Sequence, residues 1–156
     1  MKPQYITMFL LLCVLCTGQT FLSAQSTADE IEALLNNSAV TYGQAARFVL
    51  EAADVTVTTD PAEAFQYAAQ RNWLPKTASA NEAARLDGIS LLFMHSFGIK
   101  GGLLYSITKS SHYAYRDMVY RNLIQGRVDP AMNVSGERLL FITSRIFSLR
   151  GENEEQ

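Results

Sequence analysis

The stretch that decides the fold runs from residue 85 to residue 97 and reads RLDGISLLFMHSF. Apolar side chains recur in it three or four positions apart, the spacing that places residues on one face of an α-helix. We therefore predict a helix that begins between Ser79 and Arg85, ends near Phe97 and buries a wide apolar face. That face consists of Leu86, Ile89, Leu92, Phe93 and Phe97.

Similar patterns lie on both sides of this stretch, and several carry helix-start signals. Thr41 and Gln44 have the spacing of a capping box. Asp60-Pro61 pairs an N-cap residue with a proline in the first turn. We expect a helix after each of these signals. Further helices are expected over residues 29–35, over residues 111–124 with Gly126 as the cap, and from Ser135 to Gly151.

Two short segments have a different pattern. Residues 55–58 read VTVT and residues 103–108 read LLYSIT, and both alternate weakly between apolar and polar side chains. Alternation of this kind is typical of short strands. The expected fold class is therefore mainly α, a compact domain of about six helices with short strand-like pieces.

Residues fifty positions apart resemble one another through much of the chain. The helix after Thr41 joins this series if residues 98–103 are an insertion. We interpret the pattern as divergent helix-turn-helix repeats of about 50 residues, which predicts that helices starting at Thr41, Arg85 and Ser135 meet around one axis. The alternative is chance similarity between amphipathic helices. The matching pairs include Ala64 and Ala114, Arg71 and Arg121, Asn72 and Asn122, and Phe97 and Phe147.

The last of these units resembles an S-layer homology repeat. The resemblance rests on residues 113–126, on Asp129-Pro130 and on the helix that follows. In that family a helix ends in an apolar pair and a glycine, a loop with Asp and Pro follows, and Thr-Arg-x-Glu opens a second helix. Gly136 and Arg138 stand where that motif has Arg and Glu. The resemblance implies a helical repeat domain, over roughly residues 29–147, whose grooves bind cell-envelope polysaccharide.

A repeat that stacks around an axis has its grooves between units, where one helix ends and the next begins. Amide groups at a helix start attract anions, and an arginine adds a two-point contact to a carboxylate or phosphate. An acidic envelope polymer is therefore the expected ligand. The candidate ligand-binding residues are Trp73, Arg85, Arg127, Ser135 and Arg138.

The first 24 residues have the layout of a secretory signal peptide. Lys2 is followed by an apolar run over residues 6–16, and Ala24 stands at the expected cleavage position. The run is shorter than the roughly 20 residues that a membrane-spanning helix needs. We expect export to the periplasm or the cell surface. An uncleaved anchor, or a lipoprotein acylated at Cys13 or Cys16, is the alternative.

The composition argues against several classes of function. Both cysteines lie in the signal, so the mature chain has no disulfide, no thiolate nucleophile and no cysteine metal ligand. With 13 basic and 15 acidic residues and no basic run, the chain is a poor partner for nucleic acid. His95 and His112 lack the spacing of metal ligands and are expected to pack or to cap helices. We expect no metal, no cofactor and no catalytic residues.

The expected function is therefore non-catalytic. Residues 25–150 are predicted to form one helical domain, and residues 151–156 an acidic disordered tail. We expect an exported module that binds or anchors to cell-wall or surface polysaccharide. A protein-interaction adaptor or a subunit of a periplasmic or outer-membrane complex is the alternative. A small exported hydrolase is a third hypothesis.

Overall fold

The computed structural model describes residues 28–126 and 128–154 of the 156-residue chain. Within these residues the protein is mainly helical, with seven α-helices and no β-sheet, which confirms the predicted fold class. The predicted signal over residues 1–24 and the candidate residue Arg127 lie outside the described residues. The helices are α1 (28–35), α2 (Tyr42–Ala52), α3 (Pro61–Gln70), α4 (Leu86–Ser96), α5 (Leu103–Thr108), α6 (Ser111–Tyr120) and α7 (Gly136–Glu154).

The chain divides into two compact units between Asn36 and Asn37. The first unit contains α1, a helix that the sequence predicts from the acidic residues of its first turn, Asp29 and Glu30. The second unit contains α2 to α7. Every candidate site residue that the structure describes belongs to this second unit.

A closed ring of backbone hydrogen bonds joins the segments that precede α2, α4 and α7. The N–H of Val40 donates to the carbonyl of Val134 at 2.9 Å, and the N–H of Val134 donates to the carbonyl of Ala84 at 2.9 Å. The N–H of Ala84 closes the ring on the carbonyl of Val40 at 2.8 Å. All three residues are fully buried. Each of the three residues donates its N–H to one of the other two and accepts at its carbonyl from the remaining one. Three chain segments therefore meet without forming a sheet.

A second layer of hydrogen bonds surrounds this ring. The first N–H groups of a helix have no partner within the helix itself. In α2 they donate to the loop before α4, and in α4 they donate to the loop before α7. The pairs are Tyr42 with Glu82, Gly43 with Ala80, Leu86 with Met132, and Asp87 with Pro130. The N–H of Gly136 at the start of α7 donates to the carbonyl of Asn37. The three helix starts predicted at Thr41, Arg85 and Ser135 therefore meet.

Local signals set the starts of α2 and α3, as predicted. The Thr41 hydroxyl accepts from the N–H of Gln44 at 3.2 Å, and the Gln44 side chain accepts from the N–H of Thr41 at 3.0 Å. This reciprocal pair is the predicted capping box. Asp60 caps α3 by accepting from the N–H of Ala62 at 2.9 Å, with Pro61 in the first turn.

The core is built around α4. All five residues of its predicted apolar face are buried, and so are Leu91 and Met94 outside that face. From α7 the core receives Leu139, Ile142 and Ile146. Leu92 and Ile142, which lie fifty residues apart in the sequence, are both buried. On α3 the buried residues are Ala64 and Ala68.

The two predicted strand-like segments are not strands. Residues 103–108 form the short helix α5, in which the N–H of Ser106 donates to the carbonyl of Gly102 at 2.9 Å. Of its apolar side chains only Tyr105 is buried, so the alternation in its sequence does not correspond to an alternation in burial. Residues 55–58 form neither helix nor strand, and the N–H of Val55 instead closes the end of α2 on the carbonyl of Leu50. In both segments a backbone N–H group makes a hydrogen bond to a carbonyl a few residues earlier in the chain, and not to another strand.

Two helix ends also differ from the prediction. Helix α6 ends at Tyr120, because Asn122 takes a left-handed conformation with φ of 57°. The N–H of Leu123 then donates back to the carbonyl of Met118, the hydrogen bond of a Schellman cap. Asn122 therefore has the capping role that was expected of Gly126. Helix α7 continues past Gly151 and ends at Glu154.

Candidate functional site

A groove of about 400 Å³ runs along the first half of α7, beside the turn that follows α6. Two of the predicted ligand-binding residues, Ser135 and Arg138, line it together. The closed ring at Val134 fixes the chain immediately before them. The other lining residues are Ile124, Gln125, Glu137, Phe141 and Ile142.

The N-terminal turn of α7 positions the arginine. Ser135 accepts a hydrogen bond from the N–H of Arg138 at 3.3 Å, the contact of an N-cap residue. The guanidinium of Arg138 donates through Nη1 to the thioether sulfur of Met132 at 2.6 Å. A thioether is a weak acceptor, so this contact orients the guanidinium without neutralising its charge. The groove therefore holds an oriented cation at a helix start.

The remaining walls combine an aromatic face with planar polar groups. Phe141 is exposed, and Ile142 beneath it is buried. Gln125 and Glu137 are both exposed. The amide of Gln125 can donate to or accept from a ligand hydroxyl, whereas the carboxylate of Glu137 can only accept from one. Sequence reasoning missed Gln125 and Phe141. The sequence does place Phe141 next to the apolar stripe of α7 and not within it, and this position predicts an aromatic ring that faces solvent.

Arg85 and Trp73, two other predicted site residues, are not among the residues that line this groove. Arg85 is the N-cap residue of α4, and its guanidinium lies 3.2 Å from a carboxylate oxygen of Asp87. Trp73 is half-buried and stacks on the imidazole of His95, with ring centroids 5.9 Å apart and ring planes 4° apart. The structure therefore brings together Ser135 and Arg138 and places the other two in separate surroundings. Arg127 lies outside the described residues.

A second concavity, of about 420 Å³, lies between the end of α4 and α5. His95 and Tyr105 line it, with ring centroids 6.1 Å apart. Burial lowers the pKa of His95, and the nearby Lys109 lowers it further. Burial also raises the pKa of Tyr105 to about 12. Nε2 of His95 is buried with no hydrogen-bond partner, so the neutral imidazole acts here as a packing group, as the sequence predicted.

The described residues offer neither a metal site nor a membrane-spanning helix. There, no group of three or more His, Cys, Asp or Glu residues converges in a way that could hold a metal ion. Over the same residues, no helix combines the length and the apolar character that crossing a bilayer requires. No protein-family model, no curated protein and no solved structure matches the chain.

Proposed function

We propose that the protein is a non-catalytic binding or anchoring module of the cell envelope, and that the α7 groove binds an acidic polysaccharide. The observation that carries this proposal is the convergence of Ser135 and Arg138 with the exposed ring of Phe141 in one groove. A sugar ring stacks on an aromatic face, while an arginine binds a carboxylate or phosphate through two parallel hydrogen bonds. Glu137 and Gln125 supply partners for sugar hydroxyls.

Three helices that start from a common ring support the repeat hypothesis on which this function rests. The match at a spacing of fifty residues extends to backbone conformation, since Asn72 and Asn122 both have φ of 57° at the ends of α3 and α6. The N–H groups of Trp73 and Leu123, one residue further on, close equivalent caps. A helix-turn-helix unit repeated around an axis is the architecture that the S-layer homology resemblance implies, and the proposed groove lies at the start of its last helix.

Co-sedimentation with purified cell-wall sacculi tests this proposal. We expect the exported protein to pellet with sacculi that carry their acidic polymer, and Arg138→Gln to weaken binding by about 1–3 kcal/mol, because a hydrogen bond to a charged group is worth about that much. Phe141→Ala should also weaken binding, because it removes the aromatic face on which a sugar ring would stack. Arg116→Gln is the matched control, because Arg116 is an exposed arginine of α6 that does not line the groove.

The outcomes of this assay separate the two main functions. Equal pelleting of the wild type and Arg138→Gln, or no pelleting of either, would contradict the glycan proposal. A protein-interaction adaptor is the second candidate, because Phe141 and Phe147 expose aromatic rings on α7. Loss of a specific protein partner in Phe147→Ser, with sacculus binding absent throughout, would favour the adaptor.

A further inference from the structure

Helix α5 carries three exposed aliphatic side chains, which we call the α5 patch: Leu103, Leu104 and Ile107. Leu103 is 77% exposed and Ile107 is 73% exposed, so both protrude from the surface instead of lining a depression. Contiguous exposed apolar residues on a globular protein mark an interaction site more often than isolated ones do. The patch is separate from the α7 groove, because none of its residues lines that groove.

Contacts with α6 and the buried ring of Tyr105 hold the α5 patch in place. The N–H of Gly102 donates to a carboxylate oxygen of Asp117 on α6 at 2.7 Å, which fixes the start of the helix. Tyr105 is the one buried side chain of α5. A side chain at position 101 would collide with the Tyr105 ring and the Asp117 carboxylate, so Gly101 permits this close packing. The exposed aliphatic residues therefore project from an anchored helix.

The charged residues that flank the α5 patch in the sequence are both lysines. Lys100 precedes the patch and Lys109 follows it, and both are exposed. The sequence has no Asp or Glu between Asp87 and Asp117, although the whole chain has a net charge of −2. The Asp117 carboxylate, which is the acidic group in contact with this segment, is half-buried and accepts from the Gly102 N–H. A protruding apolar tip between two lysines matches the surface of an anionic bilayer.

We propose that α5 docks the protein on an anionic lipid surface. Leu103, Leu104 and Ile107 enter the boundary between headgroups and acyl chains, and Lys100 and Lys109 lie at the level of the lipid phosphates. Such binding is peripheral and depends on salt, because the lysine contribution is screened. A concave protein partner would need the same aliphatic residues. It would not need negatively charged lipid, and that difference separates the two occupants.

Vesicle co-sedimentation of the exported protein, purified from cells that express the full chain, tests this proposal. The probes are vesicles of phosphatidylcholine alone and of phosphatidylcholine with phosphatidylglycerol. We expect binding to the anionic vesicles and at least about tenfold weaker binding to the neutral ones. Leu103→Ser combined with Ile107→Ser should reduce binding to anionic vesicles about tenfold or more. Lys100→Gln combined with Lys109→Gln should reduce both the binding and its salt dependence.

Two matched controls keep this test falsifiable. Val57→Ser removes an aliphatic side chain that is also 77% exposed but lies outside the α5 patch. Lys76→Gln removes an exposed lysine from another loop. Both should bind like the wild type, and thermal melting should be unchanged in all variants. Equal vesicle binding by the wild type and the α5 variants would overturn the proposal. So would failure of the wild type to bind anionic vesicles, even if the α5 variants lost a protein partner.

Discussion

Helices α4 and α7 begin at equivalent places on the hydrogen-bonded ring, and their residues match at a spacing of fifty, yet they are buried to different extents. Leu92 and Ile142 are buried in both. Leu91, however, is 4% exposed on α4, whereas the matching Phe141 is 42% exposed on α7. Helix α4 packs against both α2 and α6, while the clearest helix contact of α7 is with α2 alone. The neighbours of a helix, rather than its register, decide how much of its circumference becomes core.

The largest expected effect comes from the residues that the two helices bury alike. Leu92→Ala and Ile142→Ala should each lower the free energy of unfolding by about 2–5 kcal/mol, since each leaves a cavity in the core. Leu92→Ala should cost more, because α4 is enclosed on more sides. Urea denaturation measures both. A loss below about 1 kcal/mol for both variants would mean that the fifty-residue alignment does not identify equivalent core positions.

A position at which the two helices differ gives the next effect. Gly88 of α4 faces the ring of Tyr42, and a Cβ added there would lie 2.8 Å from a ring carbon and collide with the hydroxyl oxygen. The matching residue of α7 is Arg138, which lines the groove. Gly88→Ala should therefore destabilise the protein by about 1–3 kcal/mol through overpacking. Gly151→Ala, in a helix position with nothing nearby, should instead stabilise it by up to about 1 kcal/mol. Equal effects of the two variants would contradict the packing of Tyr42 on Gly88.

The helices that precede α4 and α7 supply a smaller effect. Asn72 and Asn122 both adopt left-handed φ values of 57° at the ends of α3 and α6. Asparagine tolerates this conformation better than other residues with a Cβ, so Asn72→Ala and Asn122→Ala should each cost about 1 kcal/mol. The corresponding glycine variants should be neutral or stabilising. Thermal melting of the four variants checks this. A marked difference in stability loss between the two sites would show that the two caps are not energetically equivalent, although their backbone conformations are alike.

The smallest expected effect depends on pH and concerns the last turn of α4. His95 stacks on Trp73, while the matching residue of α7, Arg145, donates to the carbonyl of Asn122 at 2.6 Å. Burial lowers the pKa of His95 below its ordinary value of 6.5, so the unfolded chain takes up this proton at higher pH than the folded protein. Stability should therefore fall as the pH drops through about 6.5 toward the lower folded pKa, and should be unaffected by His95 above that window.

Urea denaturation at pH 7.5 and pH 5.5 measures this effect. His95→Gln should reduce the loss of stability between the two conditions, because glutamine does not titrate. His112→Gln is the control for removal of a histidine, since His112 is exposed at the start of α6. An unchanged loss of stability in His95→Gln would show that other groups cause the pH dependence.

The candidate site was predictable only in part. Ser135 and Arg138 belong to one helix start, so their proximity follows from local sequence, and the structure brings them together. Gln125 is ten residues earlier than Ser135 and reaches the groove because the chain turns between α6 and α7. Trp73 was predicted at the surface of a groove and instead stacks on His95, because a large aromatic side chain near the core is buried when a partner surface is available.

The sequence by itself determined the starts of α2 and α3 and the existence of helix α4. The capping box at Thr41, the Asp60-Pro61 pair and the apolar spacing of α4 all act within a few residues, so they can be read from local order. The tertiary structure alone decided the closed ring of Val40, Ala84 and Val134, the helical form of α5 and the unequal burial of α4 and α7. Backbone N–H and C=O groups are the same in every residue except proline, so side-chain patterns do not specify which distant amides pair. That choice depends on how the finished helices pack.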